Sequence, residues 1–255
     1  MNQSTPAAGN RLILAALGAG CLLVGLAGGW LWNARLAGPG EASPAERARI
    51  EAVVRDYVLT HPEILPEAMK NLERRENAKA LGSVRAEVEK PFPGAVLGNP
   101  AGKVTLVVFS DYACTYCRQS VADVEALVRA NPDLRVVVRE LPIIAPQSYE
   151  AARWALAAGE QGRYAAFHAA MFAAGRPDAA TLEKVAVAVG VDVARLKAAL
   201  ADPRFGAELE RNLGYARQLG FNGTPSWVIG EQILAGAIGR DALQQAVDAA
   251  RKQGS

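Results

Sequence analysis

The sequence predicts an α/β protein whose main domain carries a helical insertion and is preceded by a transmembrane helix and a helical stalk. Three observations carry that expectation. The β-branched run Val104-Thr105-Leu106-Val107-Val108-Phe109 hands over to a helical pattern (Val121, Val124, Leu127, Val128) across Cys114-Thr115-Tyr116-Cys117. An alanine-rich stretch, about 147–213, separates that strand from a later one. Residues 12–32 form a run without a charge, long enough to cross a hydrocarbon core.

The elements follow in chain order. Residues 1–11 read as a cytoplasmic tail and 12–32 as an uncleaved anchor, bracketed by Arg11 and Arg35, with Trp30 and Trp32 suited to the membrane interface. No small-x-small cleavage site appears between Trp32 and Pro39. Cys21 lies inside the run. The residues around it make a poor lipidation site, because Gly18 stands where a large aliphatic residue is expected and the chain after Cys21 stays apolar.

After a linker at 33–43, Ser43-Pro44-Ala45-Glu46 opens the stalk, 44–89, with a capping box and proline at the first helical position. Ile50, Val53, Val54, Tyr57 and Val58 form one apolar stripe, His61-Pro62 interrupts, and Leu65, Ala68, Met69 and Leu72 resume it. A stripe this narrow needs a partner, either its own main domain or a second copy of itself.

The main domain occupies 90–255. Leu134–Glu140 reads as a second strand, and breaks at Gly175-Arg176-Pro177-Asp178, Gly190 and Asp202-Pro203 divide the insertion into several short helices. Ser226–Ile229 and Gln232–Ala235 read as a hairpin around Gly230-Glu231, and Asp241–Lys252 as a terminal helix. The composition, 255 residues, 51% hydrophobic and net charge +2, fits one main globular core with extensions. The 28 basic and 26 acidic residues are interspersed without a basic block, which excludes an evident nucleic-acid surface.

The CxxC tetrad carries the chemistry. At a helix N-terminus, unpaired N–H groups and the macrodipole favour an anion, so the position stabilises a thiolate at Cys114. Such motifs bring a cysteine from about pKa 8.5 to roughly 3.5–7.5 and make the first sulfur the nucleophile, with Cys117, one turn on, as resolving thiol. A structural disulfide and half of a zinc site are the other readings. The remaining ligand candidates, Cys21, His61 and His168, have no metal-ligand spacing to the tetrad, so no metal and no cofactor is expected. The acid beside the thiols, if there is one, is Asp111 or Glu140; a carboxylate there could accept a proton from Cys117, raise the thiolate by like charge, or equally cap the helix at the surface.

A CxxC at a strand-to-helix junction, followed by Gly223-Thr224-Pro225 before a strand, resembles the thioredoxin superfamily, and the long helical insert resembles its DsbA-like branch. The resemblance implies a thioredoxin-like fold with Pro225 as a cis-proline facing the cysteines. Thr224 would then present backbone groups to an extended substrate, and Thr115 and Tyr116 would tune the thiols. It departs from DsbA six positions before the nucleophile, where Val108 replaces a buried acid. From about Ile50 onward the chain is similar to the suppressor-of-copper-sensitivity ScsC type, in which a stalk brings catalytic domains together.

The function implied is a periplasmic, membrane-anchored thiol-disulfide oxidoreductase that forms or isomerises disulfides. Its partners would be cysteine-bearing client proteins, a membrane redox protein that resets the pair, and further copies through the stalk. Alternatives are a dedicated reductase and a Cu(I)-binding module using the same two sulfurs.

Overall fold

The computed structural model describes residues 24–32 and 43–253. The expected tail, the anchor before residue 24, Cys21 and linker positions 33–42 lie outside the described residues. Residues 24–32 are helical (α1) and exposed throughout. Among the described residues, no helix is long and apolar enough to cross a membrane.

The described chain divides into two compact units between Pro66 and Glu67. In the first, α2 (Pro44–Thr60) starts at Ser43, whose side chain accepts the Glu46 N–H at 3.3 Å, with Pro44 at the first turn. It ends where His61 stacks on Tyr57 and Pro62 follows. No residue of α2 is buried, and Ile50, Val53, Val54 and Tyr57 are all at least half exposed. The resumed stripe on α3 (Ile64–Gly82) is equally bare at Leu65, Met69 and Leu72.

The second unit is built on a five-stranded sheet ordered β1-β3-β2-β4-β5. The strands are β1 (Val96–Gly98), β2 (Val104–Ser110), β3 (Leu134–Glu140), β4 (Ser226–Ile229) and β5 (Gln232–Ala235). The central strands β2 and β3 run parallel, from Val104 opposite Leu134 to Ser110 opposite Glu140, and α5 (Thr115–Ala130) joins them. The outer pairings are antiparallel. Both central strands are covered on both faces, which is why they read as continuous apolar runs. Gly230, at φ 53°, supplies the left-handed residue of the two-residue turn between β4 and β5.

Strand alternation divides the core. Leu106, Val108, Val136, Val138, Trp227 and Ile229 face Val124 and Leu127 of α5 and Leu243, Ala246 and Val247 of α11 (Arg240–Gln253). The same core takes in the insertion, five helices: α6 (Pro146–Gly159), α7 (Tyr164–Ala174), α8 (Ala179–Ala188), α9 (Val193–Ala199) and α10 (Arg204–Gln218). Val107, Phe109, Val137 and Val228 face the other way, against Leu81, Val84, Val88, Leu219 and Phe221.

Within the expected stalk, 44–89, the last part docks on the sheet. Leu81, Val84 and, on α4 (Arg85–Val88), Val88 bury themselves on the sheet. Arg139 fixes that docking from β3. Its Nε donates to the Val88 carbonyl at 3.0 Å, its Nη1 pairs with Glu208 at 2.6 Å, and its Nη2 reaches both the Glu87 and the Lys90 carbonyls.

Candidate active site

Strand β2 ends at Ser110, and the turn Asp111-Tyr112-Ala113 delivers the chain to α5 with Cys114 as its N-cap, φ −80° and ψ 120°. The Cys114 N–H donates to the Asp111 carbonyl at 3.0 Å. Its sulfur accepts the Cys117 N–H at 3.4 Å, one of the orphan donors of the first turn. The same sulfur donates to the Thr224 carbonyl oxygen at 3.1 Å. The Thr224–Pro225 bond is cis. The structure thus brings Cys114, Cys117, Thr224 and Pro225 together from segments about a hundred residues apart. Thr115 and Tyr116 lie on the exposed side of the same turn, Tyr116 being 62% exposed.

The two thiols are unequal. Both sulfurs are unpaired and both residues buried. Burial pushes the Cys117 thiol up to about 12, and the neighbouring Cys114 adds to the rise. The Thr224 and Ser110 hydroxyls and the Asp111 backbone, close to the sulfur, oppose it. Ser110 was not singled out by the sequence, and the only signal for it is a hydroxyl at the end of an otherwise apolar strand.

The structure corrects the expectation for Asp111. Its carboxylate is fully used by the scaffold: Oδ1 accepts the Ala113 N–H at 2.8 Å and the Ser148 hydroxyl at 2.6 Å, and Oδ2 accepts the Ile143 and Ile144 N–H groups, each at 2.8 Å. Four donors saturate a carboxylate. Asp111 therefore ties the turn before Cys114 to the loop after β3 rather than serving as proton acceptor for Cys117.

Glu140 occupies the interior instead. Its Oε1 accepts the Tyr112 hydroxyl at 3.0 Å and the Tyr164 hydroxyl at 2.6 Å. Burial pushes it up to about 8, and the Asp111 charge adds to this while the two phenols oppose it. Tyr112 also lies 3.1 Å from His168 Nδ1. His168 packs in the insertion, and burial pulls it down to about 4. A cavity of about 260 Å³, mostly apolar, has Cys117, Ser110, His168, Pro225 and Trp227 on its walls. Among the described residues, no group of three or more His, Cys, Asp or Glu is placed to hold a metal ion.

Comparison with known proteins adds to this geometry. A DSBA-like thioredoxin domain matches residues 105–248, and the copper resistance protein ScsC N-terminal domain matches residues 46–79. A thioredoxin-like oxidoreductase from Silicibacter pomeroyi DSS-3 is similar at 44% identity and TM-score 0.60, over 62% of this chain and 91% of that one. Proteus mirabilis ScsC in a transitional conformation is similar at 27% identity and TM-score 0.63, over 83% of this chain and 99% of that one. Salinispora arenicola Na(+)/H(+) antiporter NhaA 1 is 30% identical over 61% of this chain and 24% of its own length. This chain spans about a quarter of the curated relatives it matches. The domain match covers more than half of the sequence and includes both cysteines and the cis-proline, and the chain belongs to the DSBA-like thioredoxin domain family, with an N-terminal segment of the ScsC type.

Proposed function

We propose that the chain is a thiol-disulfide oxidoreductase acting on the cysteines of client proteins, with Cys114 as nucleophile and Cys117 as resolving thiol. The observation that carries this reading is the unlike setting of two sulfurs one helical turn apart. Cys114 caps α5 and receives an N–H, whereas Cys117 is driven towards its protonated form by burial.

In the oxidising direction, a client thiolate attacks the Cys114 sulfur of the Cys114–Cys117 disulfide. That bond breaks, Cys117 leaves as a thiolate and takes up a proton, and a mixed disulfide joins Cys114 to the client. A second client thiolate attacks its own sulfur in the mixed disulfide, which forms the client disulfide and releases the Cys114 thiolate. In the isomerising direction, the Cys114 thiolate attacks a client disulfide, the client thiolate so released attacks another client disulfide, and the thiolate freed in that exchange attacks the mixed disulfide and releases Cys114. Thr224 and Pro225 hold the client's extended backbone beside Cys114, and Thr115 and Tyr116 meet it on the exposed side of α5.

The finer assignments belong to the same proposal. The bare apolar stripe of α2 and α3 and the ScsC-type match at 46–79 support self-association of the stalk. Several thiolates around one client favour isomerisation. The charge-free run at 12–32 supports a membrane anchor, and disulfide chemistry supports a periplasmic site with a membrane redox protein resetting the pair.

A Cys117→Ala chain exposed to periplasmic extract should accumulate client mixed disulfides at Cys114, and failure to trap any would end this reading. The reduction potential of the pair then separates the directions: about −120 to −200 mV for an oxidant or isomerase, near −270 mV for a reductase. The ScsC-type match also raises Cu(I) binding by the two thiols. Stoichiometric protection of both from alkylation by added Cu(I), with no mixed disulfide trapped, would favour that reading.

A further inference from the structure

Disulfide exchange uses two sulfurs, yet four more buried groups with exchangeable protons are joined in one cluster of the same core. Glu140 ends β3, Tyr112 stands in the turn before α5, and Tyr164 and His168 occupy successive turns of α7. Tyr112 is the link, its hydroxyl 3.0 Å from Glu140 Oε1 and 3.1 Å from His168 Nδ1. Tyr164 stacks on the imidazole, its ring 5.7 Å away and inclined by 24°, while Phe172 closes on it edge-on. The His168 ring forms part of the cavity wall that also carries Cys117 and Ser110.

We propose that Glu140, Tyr112 and His168 form a proton relay that supplies and withdraws the proton of Cys117 across this cavity. The proposal rests on the exchange chemistry above, and its first test does not depend on it.

Counting protons gives the relay two states. Tyr112 has one hydroxyl proton and two neighbours to receive it. With Glu140 protonated, the carboxyl donates to the Tyr112 oxygen and Tyr112 donates to His168 Nδ1. The neutral imidazole then carries its proton on Nε2, as a donor. With Glu140 ionised, Tyr112 donates to the carboxylate and His168 Nδ1–H donates to Tyr112, which leaves Nε2 as an acceptor. The states differ by one proton on Glu140, and the ring stays neutral in both.

When Cys117 leaves as a thiolate, Nε2 gives up its proton to it through water in the cavity that both residues line. Tyr112 passes its proton to Nδ1, and Glu140 passes its own to Tyr112. One S–H bond forms and one carboxyl O–H bond breaks. The reverse transfer frees Cys117 to attack a mixed disulfide.

The environments suit these roles. Glu140, held near 8, stores a proton at neutral pH, and the Cys117 thiolate, with a thiol near 12, takes it downhill. His168, held near 4, passes a proton without keeping it. Burial and the Glu140 carboxylate together keep Tyr112 protonated. The other groups facing Glu140 have been placed: Asp111 from the turn raises it, and Tyr164 from α7 donates to it. From α10, Asn212 donates to its main-chain carbonyl, and Glu208 pairs with Arg139.

The test is the tautomer of His168, followed by ¹⁵N NMR of the reduced, histidine-labelled full chain from pH 6 to 9.5. The proton should move from Nε2 to Nδ1 with a midpoint near 8, without an imidazolium signal, and Tyr112→Phe should make the tautomer independent of pH. Reduction of the oxidised pair by a small dithiol then reads the consequence. Tyr112→Phe and Glu140→Gln, which keeps the carboxyl's shape, should each slow Cys117 release by about 100-fold and remove its inflection near pH 8. A tautomer that stays fixed in the wild-type chain, or a Tyr112→Phe profile like wild type, would overturn the relay. A switching tautomer in a chain that exchanges no dithiol would overturn the oxidoreductase reading instead.

Discussion

Replacing Asp111 with asparagine asks whether one carboxylate clamps the active-site turn to the loop after β3. The aspartate receives four donors, two on each oxygen. An amide has only one oxygen. The least costly placement leaves that oxygen on Ile143 and Ile144 and turns the NH₂ towards Ser148, whose hydroxyl rotates to accept it. The Ala113 N–H then faces another donor. A largely buried N–H without a partner costs about 1–3 kcal/mol, and the bonds kept to Ile143 and Ile144 lose their charge assistance, roughly 1 kcal/mol together. The sum is about 2–4 kcal/mol. For a unit of this size, each kcal/mol moves Tm by about 2–4 °C, so thermal unfolding followed by circular dichroism should show a drop of about 5–15 °C. Asp111→Ala, which abandons all four donors, should fall further. Hydrogen exchange at Ile143 and Ile144 should quicken in both. A Tm for Asp111→Asn within about 2 °C of wild type would refute the clamp.

Arg139→Met should lower stability by about 3 kcal/mol in urea titration, because Glu208 is left buried with only Arg211 beside it, and adding Glu208→Leu should recover most of the loss. Stability should also carry the mark of the buried acid. Glu140 keeps its proton in the folded chain up to about 8 against an ordinary 4.5, so stability falls as pH rises between those values. His168, held at about 4 against 6.5, gives the opposite slope below 6.5. From pH 6.5 to 8 His168 no longer contributes, and urea titration of Glu140→Gln should show the decline flattened. In the stalk, Val53→Glu with Met69→Glu should reduce the mass measured by light scattering to that of one chain while leaving the melting of the second unit unchanged, and an unaltered assembly would remove the stripe from the interface.

The strands that hold the site were legible because each is a run of β-branched or apolar residues ended by a turn residue, as in Val104–Ser110 and Leu134–Glu140. Strand β1 was not. Three residues, Val96–Gly98, at a sheet edge give no periodicity to read. Leu81, Val84 and Val88 recur at helical spacing, but Leu81 lies nine residues beyond Leu72, on the side of α3 opposite the bare stripe, and the charged residues between them carry no apolar signal of that change of face. The cysteine pair was legible because its chemistry lies in one tetrad. The acids were harder. Asp111 stands three residues before Cys114 and reads as a redox partner, but its four donors come from as far away as Ser148, and only the fold assembles them. Glu140, Tyr112, Tyr164 and His168 are likewise gathered from three separate segments.

The interior behind the sulfurs explains why this domain can work without an acid on β2. Val108 occupies the place on that strand where a carboxyl would face the cavity, and it contributes only apolar wall. A Cys117 thiolate in such a wall has hydroxyls from Ser110 and Thr224 and a backbone group from Asp111, and these three do not outweigh its burial. Breaking the disulfide there must be coupled to proton arrival, and the group nearest to holding a spare proton at neutral pH is Glu140, on the neighbouring strand. Here the buried acid stands on β3, with Tyr112 between it and His168. The cost of that arrangement is several buried polar groups that have to be satisfied together, because a half-satisfied network is worse than an apolar core. Tyr164, which stacks on His168 and donates to Glu140, is what completes the set.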